Sequence, residues 1–127
     1  MEITLLFTAL LGLWFCGLSV RTIAGRRTNR ISLGSGESDD LLRRVRTHAN
    51  FSEYIPLLLF VLFLLELQGV SHLWLILYGV AILLGRALHA YGLSSAKAPF
   101  WARVWGMQLT LWPLLFGSIG LLLIYFF

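Results

Sequence analysis

Acidic residues are scarce in this chain: six Asp and Glu stand against ten Lys and Arg in 127 residues. Charge of either sign is sparse, at 13% of positions against an apolar share of 58%, whereas soluble domains carry about a quarter charged residues. A chain this short forms one domain at most and cannot hide so much apolar surface within itself. Lipid must cover it. There is a single cysteine, Cys16, inside an apolar run; this excludes an intramolecular disulfide, and the residue reads as a small hydrophobe. A removable signal peptide is not evident either. Glu2 makes the extreme N-terminus acidic, and no small-residue cleavage site follows the first apolar run, so that run is expected to remain as a membrane span. No internal repeat, low-complexity tract or second domain interrupts residues 1–127.

The net charge of +4 does not point to nucleic acid. Apart from Arg86, the basic residues lie between Arg21 and Arg46 or at Lys97 and Arg103, always flanking apolar stretches. Such placement is the positive-inside pattern of membrane proteins, not a stripe that tracks phosphates.

Residues 3–20 carry no charge, long enough to cross the hydrocarbon of a bilayer. The spacing of apolar runs and breakers predicts four helices, at about 3–24, 41–67, 72–93 and 101–127. The glycine-bearing polar stretch Gly34–Asp40 is the first loop, Gln68-Gly69 a short turn and Ser94–Pro99 the last loop. Asp39 or Asp40 is expected to cap the second helix. Pro56 and Pro113 fall inside helices and are expected to kink them. Short connections make successive helices antiparallel neighbours, so the fold class is an all-α, up-down four-helix membrane bundle. The basic loops, 1–2 and 3–4, face the cytoplasm and both chain ends face the other side.

Two of the spans break the rule that membrane helices are apolar. On the second, Arg46, Asn50, Glu53 and Tyr54 are spaced i, i+4, i+7 and i+8, along one face. On the third, Arg86 and His89 share a face at i, i+3, and Arg86 lies roughly 12 Å inside the end of its helix. An arginine at that depth must face protein or a watery cavity. An internal Glu53–Arg86 ion pair that fixes helix packing would explain part of this set. One acid, however, cannot neutralise Arg46, Arg86 and the nearby Arg103 together. The surplus positive charge suits an anionic ligand gripped by guanidinium forks, and a binding site is the better reading.

The run Arg46-Thr47-His48-Ala49-Asn50-Phe51-Ser52-Glu53-Tyr54-Ile55-Pro56 closely resembles the R-x-x-x-N-x-x-E-Y-x-P signature of the MAPEG family, the membrane-associated proteins in eicosanoid and glutathione metabolism. Gly85-Arg86-Ala87-Leu88-His89 resembles its G-R-x-x-H motif, and Arg26–Ser32 its basic segment at the end of the first helix. The resemblance covers essentially the whole chain and is nearest to small bacterial inner-membrane members. It implies a homotrimer with glutathione as co-substrate, bound between adjacent subunits at the cytoplasmic end. Carried over, Arg46, Asn50, Glu53, Tyr54, Arg86 and His89 hold glutathione, with Arg26 and His48 as lesser contacts. Arg103 matches the fourth-helix arginine that stabilises the thiolate. One departure is Leu93, where several members have Tyr.

The resemblance thus implies a glutathione-dependent transferase or peroxidase acting on a lipophilic electrophile or lipid hydroperoxide. A non-catalytic glutathione or lipid binder of the same family is the alternative. A small transporter or scaffold fits less well, because the polar residues gather towards one end instead of spreading through the bilayer.

Overall fold

The computed structural model describes all of residues 1–127 and contains four helices: α1 (Glu2–Asn29), α2 (Asp39–Leu67), α3 (His72–Gly92) and α4 (Phe100–Phe126). All four are long and apolar enough to cross a membrane. Helix α1 runs five residues beyond the expected end at position 24, through Arg26 and Arg27. Arginine is a good helix former, and cations in the last turn favour the negative end of the helix dipole. The helix stops where Arg30 turns left-handed, with φ 54°. Helix α2 begins two residues earlier than expected. Its cap is Ser38, whose Oγ accepts from the Leu41 N–H at 3.2 Å; Asp39 and Asp40 lie in the first turn instead, where they favour the positive end of the dipole. Both α2 and α4 continue through their prolines.

Helices α2 and α3 form the centre of the bundle. Each touches all the others, whereas α1 and α4 never meet. The apolar core is built by α1, α2 and α3, from Phe7 and Leu11 through Phe51, Leu58 and Leu62 to Leu75 and Ile82. Helix α4 contributes none of its fully buried residues and only leans on it through the partly buried Leu114 and Leu121. Its buried positions are Ala102, Gly106, Thr110 and Gly117, a stripe of small residues that lets its backbone lie directly on α3. A Cβ at Gly106 would stand 2.5 Å from the His89 nitrogen and 2.8 Å from the Gly85 oxygen. On the other side of α3, Gly79 leaves the slot that the Phe7 ring occupies. Only 25 of 127 residues are buried, and the outward faces carry Leu, Ile, Phe and Trp, a surface that hydrocarbon solvates and water would not.

The end opposite the basic loops is fastened by Glu66, a residue that no sequence pattern singles out. Its carboxylate accepts from the Ile3 and Thr4 N–H groups at 3.0 and 2.9 Å and pairs with the Met1 amine at 3.3 Å. The side chain is 5% exposed. Met1 offers α1 no side-chain cap of its own, so a carboxylate from α2 satisfies donors that a local cap would otherwise serve.

Candidate functional site

The site is organised around Arg86, which is 2% exposed. The α3–α4 contact at Gly85 and Gly106 brings its guanidinium between α2 and α4. Nη1 donates to Asn50 Oδ1 on α2 at 2.5 Å. Nη2 donates to Thr110 Oγ1 on α4 and reaches the Gly106 carbonyl at 3.4 Å and Met107 Sδ at 3.8 Å. The Tyr54 ring lies 5.9 Å from the guanidinium carbon, within cation–π range. Nε has no partner although it is buried. Every partner is therefore neutral, and no ion pair with Glu53 forms. The internal strut that would have made this arginine purely structural is absent.

Tertiary packing divides the polar face of α2. At 3.6 residues per turn, Arg46 and Glu53 point about 20° apart, Asn50 and Tyr54 about 40° apart, and the two pairs diverge by roughly 70°. Asn50 and Tyr54 turn inwards towards Arg86 and are half-buried, while Arg46 and Glu53 stay exposed on the outer face. His89, one turn from Arg86 on α3, is buried. Arg86, Arg103 and Arg46 all lie within Coulombic reach of it.

Arg103, near the start of α4, is exposed, with its guanidinium carbon 5.6 Å from the Phe100 ring centre. It forms part of the wall of two cavities. One, of about 290 Å³, also has His89, Met107 and Gln108 in its walls; the other, of about 340 Å³, is bounded by Arg43, Gly92 and the α3–α4 loop. Gln108 also opens onto an apolar groove of about 480 Å³ that passes Trp112 and Leu115. The largest groove, about 660 Å³, lies between α3 and α4 near Trp74 and Phe116 and reaches Leu109, which packs on Gly85. Its closest wall residue on α4, Leu109, is roughly 9 Å along the helix from Arg103.

Two sequence candidates lie elsewhere within the subunit. His48 faces α1, where its Nε2 meets Ser19 Oγ at 3.0 Å and its ring stacks on Phe15 at 4.7 Å. Arg26 ties down the first loop by donating to the Ser32 and Gly34 carbonyls at 3.4 and 2.8 Å. Leu93, the departure from the family pattern, is buried beside the cavity that Arg43 and Arg103 share. Sequence reasoning missed Thr110 and Gly106. Their only signal is the recurrence of small residues at 102, 106, 110 and 117, which marks a packing face without saying what it packs on.

Comparison with known proteins agrees with the motif reading. The inner membrane protein YecN of Escherichia coli strain K12 is 28% identical over 90 residues, which are 71% of this chain and 69% of that protein. The protein of the same name from E. coli strain CFT073 matches to the same extent. The profile of the MAPEG family matches residues 4–123. With four spanning helices and these relatives, the protein is a multi-pass integral protein of the inner membrane, and it belongs to the MAPEG family.

Proposed function

We propose that this protein binds glutathione at the basic end of the bundle and uses its thiolate against a lipophilic electrophile or a lipid hydroperoxide. The observation that carries the reading is the charge state of the site. Arg86 is buried among neutral partners, one of its donors is free, and Arg103 and Arg46 add two more positive charges nearby. A buried cation without an acid is unfavourable unless something anionic completes it. Glutathione brings two carboxylates and, once ionised, a thiolate. Arg103 would favour that thiolate electrostatically, since arginine does not give up its proton near neutral pH. The thiolate sulfur then donates an electron pair to the electrophilic carbon, and the leaving group departs with its own pair. The apolar groove beyond Gln108 gives a lipophilic partner a route towards Arg103 along α4.

The same reading calls for a homotrimer. Arg46 and Glu53 are exposed on the flank of a membrane-spanning helix, where facing lipid is unfavourable for a charged side chain. A neighbouring subunit would cover them and place them against a ligand held between subunits. The alternative, binding without chemistry, draws on Leu93, which supplies no hydroxyl where other members have Tyr.

One experiment separates the two. Arg103→Leu should lower turnover of glutathione with chlorodinitrobenzene ~10- to 1,000-fold, as for loss of one electrostatic stabiliser. Glutathione affinity near neutral pH should change little, and the ultraviolet absorbance of the bound thiolate should move to higher pH. A wild type that binds glutathione yet forms no thiolate up to pH 8 and turns nothing over is a binder. A wild type that does not bind glutathione refutes the site altogether.

A further inference from the structure

Neither Arg103 nor His89 nor Gln108 lines the largest hollow of the subunit, the groove of about 660 Å³ between α3 and α4. It occupies the half of the bundle away from the basic loops. At one end it is closed where Leu109 and the Gly106 carbonyl press on Gly85, so that a Cβ there would stand 3.0 Å from both. From Leu109 it runs past Pro113 and Phe116 to Ile124, about 22 Å by the helical rise. Two glycines of α4 leave it unfilled. Gly117 packs directly on Val61 and the Tyr78 ring, and a Cβ at Gly120 would meet only Leu65 Cδ2, at 3.7 Å. No charged side chain stands in the walls. The groove beyond Gln108, which serves the proposed substrate, lies on the other side of α4. The two sets of α4 wall residues point roughly 160° apart by the helical repeat and share only Trp112.

We propose that this groove holds one acyl chain of a membrane lipid, entering from the leaflet away from the basic loops. A volume of about 660 Å³ spread over that length leaves a cross-section of roughly 30 Å². An α-helix with its side chains is about 10 Å across, more than twice too large in section. A helix of a second copy could therefore cover the hollow but not fill it. An extended hydrocarbon chain is long, slender and uncharged, and matches the groove in all three respects. The volume is also that of a small-molecule site, about 300–1,000 Å³. Left empty, the walls would forgo dispersion contacts along the whole length. Half the hydrocarbon core of a bilayer is about 15 Å deep, so a groove of about 22 Å takes a long chain past the midplane. A short chain would leave the end at Leu109 vacant. Leu109 precedes Thr110, whose hydroxyl accepts from Arg86, and a filled groove braces the stretch of α4 that holds this arginine.

The test uses the full-length protein, delipidated in detergent, and native mass spectrometry with phosphatidylcholines, whose net-neutral headgroup leaves the basic end unengaged. One dipalmitoyl lipid per subunit should be retained, at least tenfold more tightly than the dioctanoyl lipid. Gly120→Leu puts a side chain into the hollow from a position whose Cβ has only an ordinary contact, and should weaken that retention tenfold or more. Gly17→Leu is the matched control. It changes an exposed glycine of α1 with no atom within 4 Å of its Cβ, and should leave retention as in the wild type. Equal retention of the two lipids overturns the proposal, because the length of the groove would then select nothing. Equal weakening by Gly17→Leu overturns it as well, since the lipid would be a general coat. If Gly120→Leu changes the number of subunits in the assembly and not the lipid retained, a second copy covers the groove and the assignment is wrong. Should Gly120→Leu not fold, Ala81→Leu narrows the same hollow from α3, and undiminished retention in that variant would refute the proposal. Glutathione enters none of these readings, so failure of the proposed function is seen separately, as a wild type that does not bind it.

Discussion

Thr110→Val replaces the hydroxyl that accepts from Arg86 with a methyl of nearly the same volume, so packing between α3 and α4 is kept and what is lost is that contact together with the hydroxyl's own donation to the Gly106 carbonyl at 2.8 Å, a backbone acceptor one turn back in the same helix. Thr110 is fully buried, and water cannot replace the missing acceptor. Arg86 would retain Asn50 and the longer contacts to the Gly106 carbonyl and Met107. A hydrogen bond to a charged group contributes about 1.5–3 kcal/mol, so the substitution should destabilise the subunit by about 2 kcal/mol. Unfolding in mixed micelles, followed by tryptophan fluorescence, measures this. The same substitution in an Arg86→Met background is the decisive comparison. With the buried charge gone, Thr110→Val should cost less than about 0.5 kcal/mol, giving a coupling energy of about 1.5 kcal/mol or more. Arg86→Met by itself should leave stability near that of the wild type, since an apolar side chain of similar length in place of a buried charge is often neutral or better. It should nonetheless abolish glutathione binding. Equal effects of Thr110→Val in both backgrounds would refute the idea that Thr110 holds the guanidinium. A severe loss of stability in Arg86→Met would make this arginine a structural strut.

Gly106→Ala should destabilise by about 2 kcal/mol, because its Cβ would collide with the backbone at His89 and Gly85 and force α3 and α4 apart; unchanged thermal stability would contradict the close approach. Glu66→Gln removes the charge that faces the start of α1 and the Met1 amine. The expected loss is about 1 kcal/mol, the size of a helix cap, read by thermal unfolding with no change in glutathione affinity. Positive-inside topology predicts that Ser35→Cys is inaccessible to an impermeant maleimide applied to intact cells, and rapid labelling from outside would reverse the orientation.

The four spans were legible because each is an unbroken apolar run bounded by charge or by Gly and Pro, and lipid enforces helix wherever backbone polar groups must be satisfied within one segment. The family was legible because the runs Arg46–Pro56 and Gly85–His89 match its signatures residue by residue. Ends were less legible. The arginines after position 20 read as a stop, but they extend α1, because a charge that ends a span in lipid does not end a helix in the interface. Ser38 rather than Asp39 or Asp40 caps α2, a choice among adjacent capping residues that only backbone geometry makes.

What sequence could not decide was which side of a shared face turns inwards. Arg46, Asn50, Glu53 and Tyr54 form one stripe by spacing, yet the packing of α2 on α3 draws Asn50 and Tyr54 in to Arg86 and leaves Arg46 and Glu53 outside. His48 carries the same motif but lies on the opposite side of the helix, against Ser19 and Phe15. Arg86 could be read as deep but not as partnered, because its acceptors Thr110 and Gly106 lie 24 and 20 positions away and come within reach only through the glycine contact between α3 and α4. Periodicity records which residues point the same way from one helix. Which of them meet depends on the rotation and distance of its neighbours, and in this bundle small residues, more than the polar ones, set both.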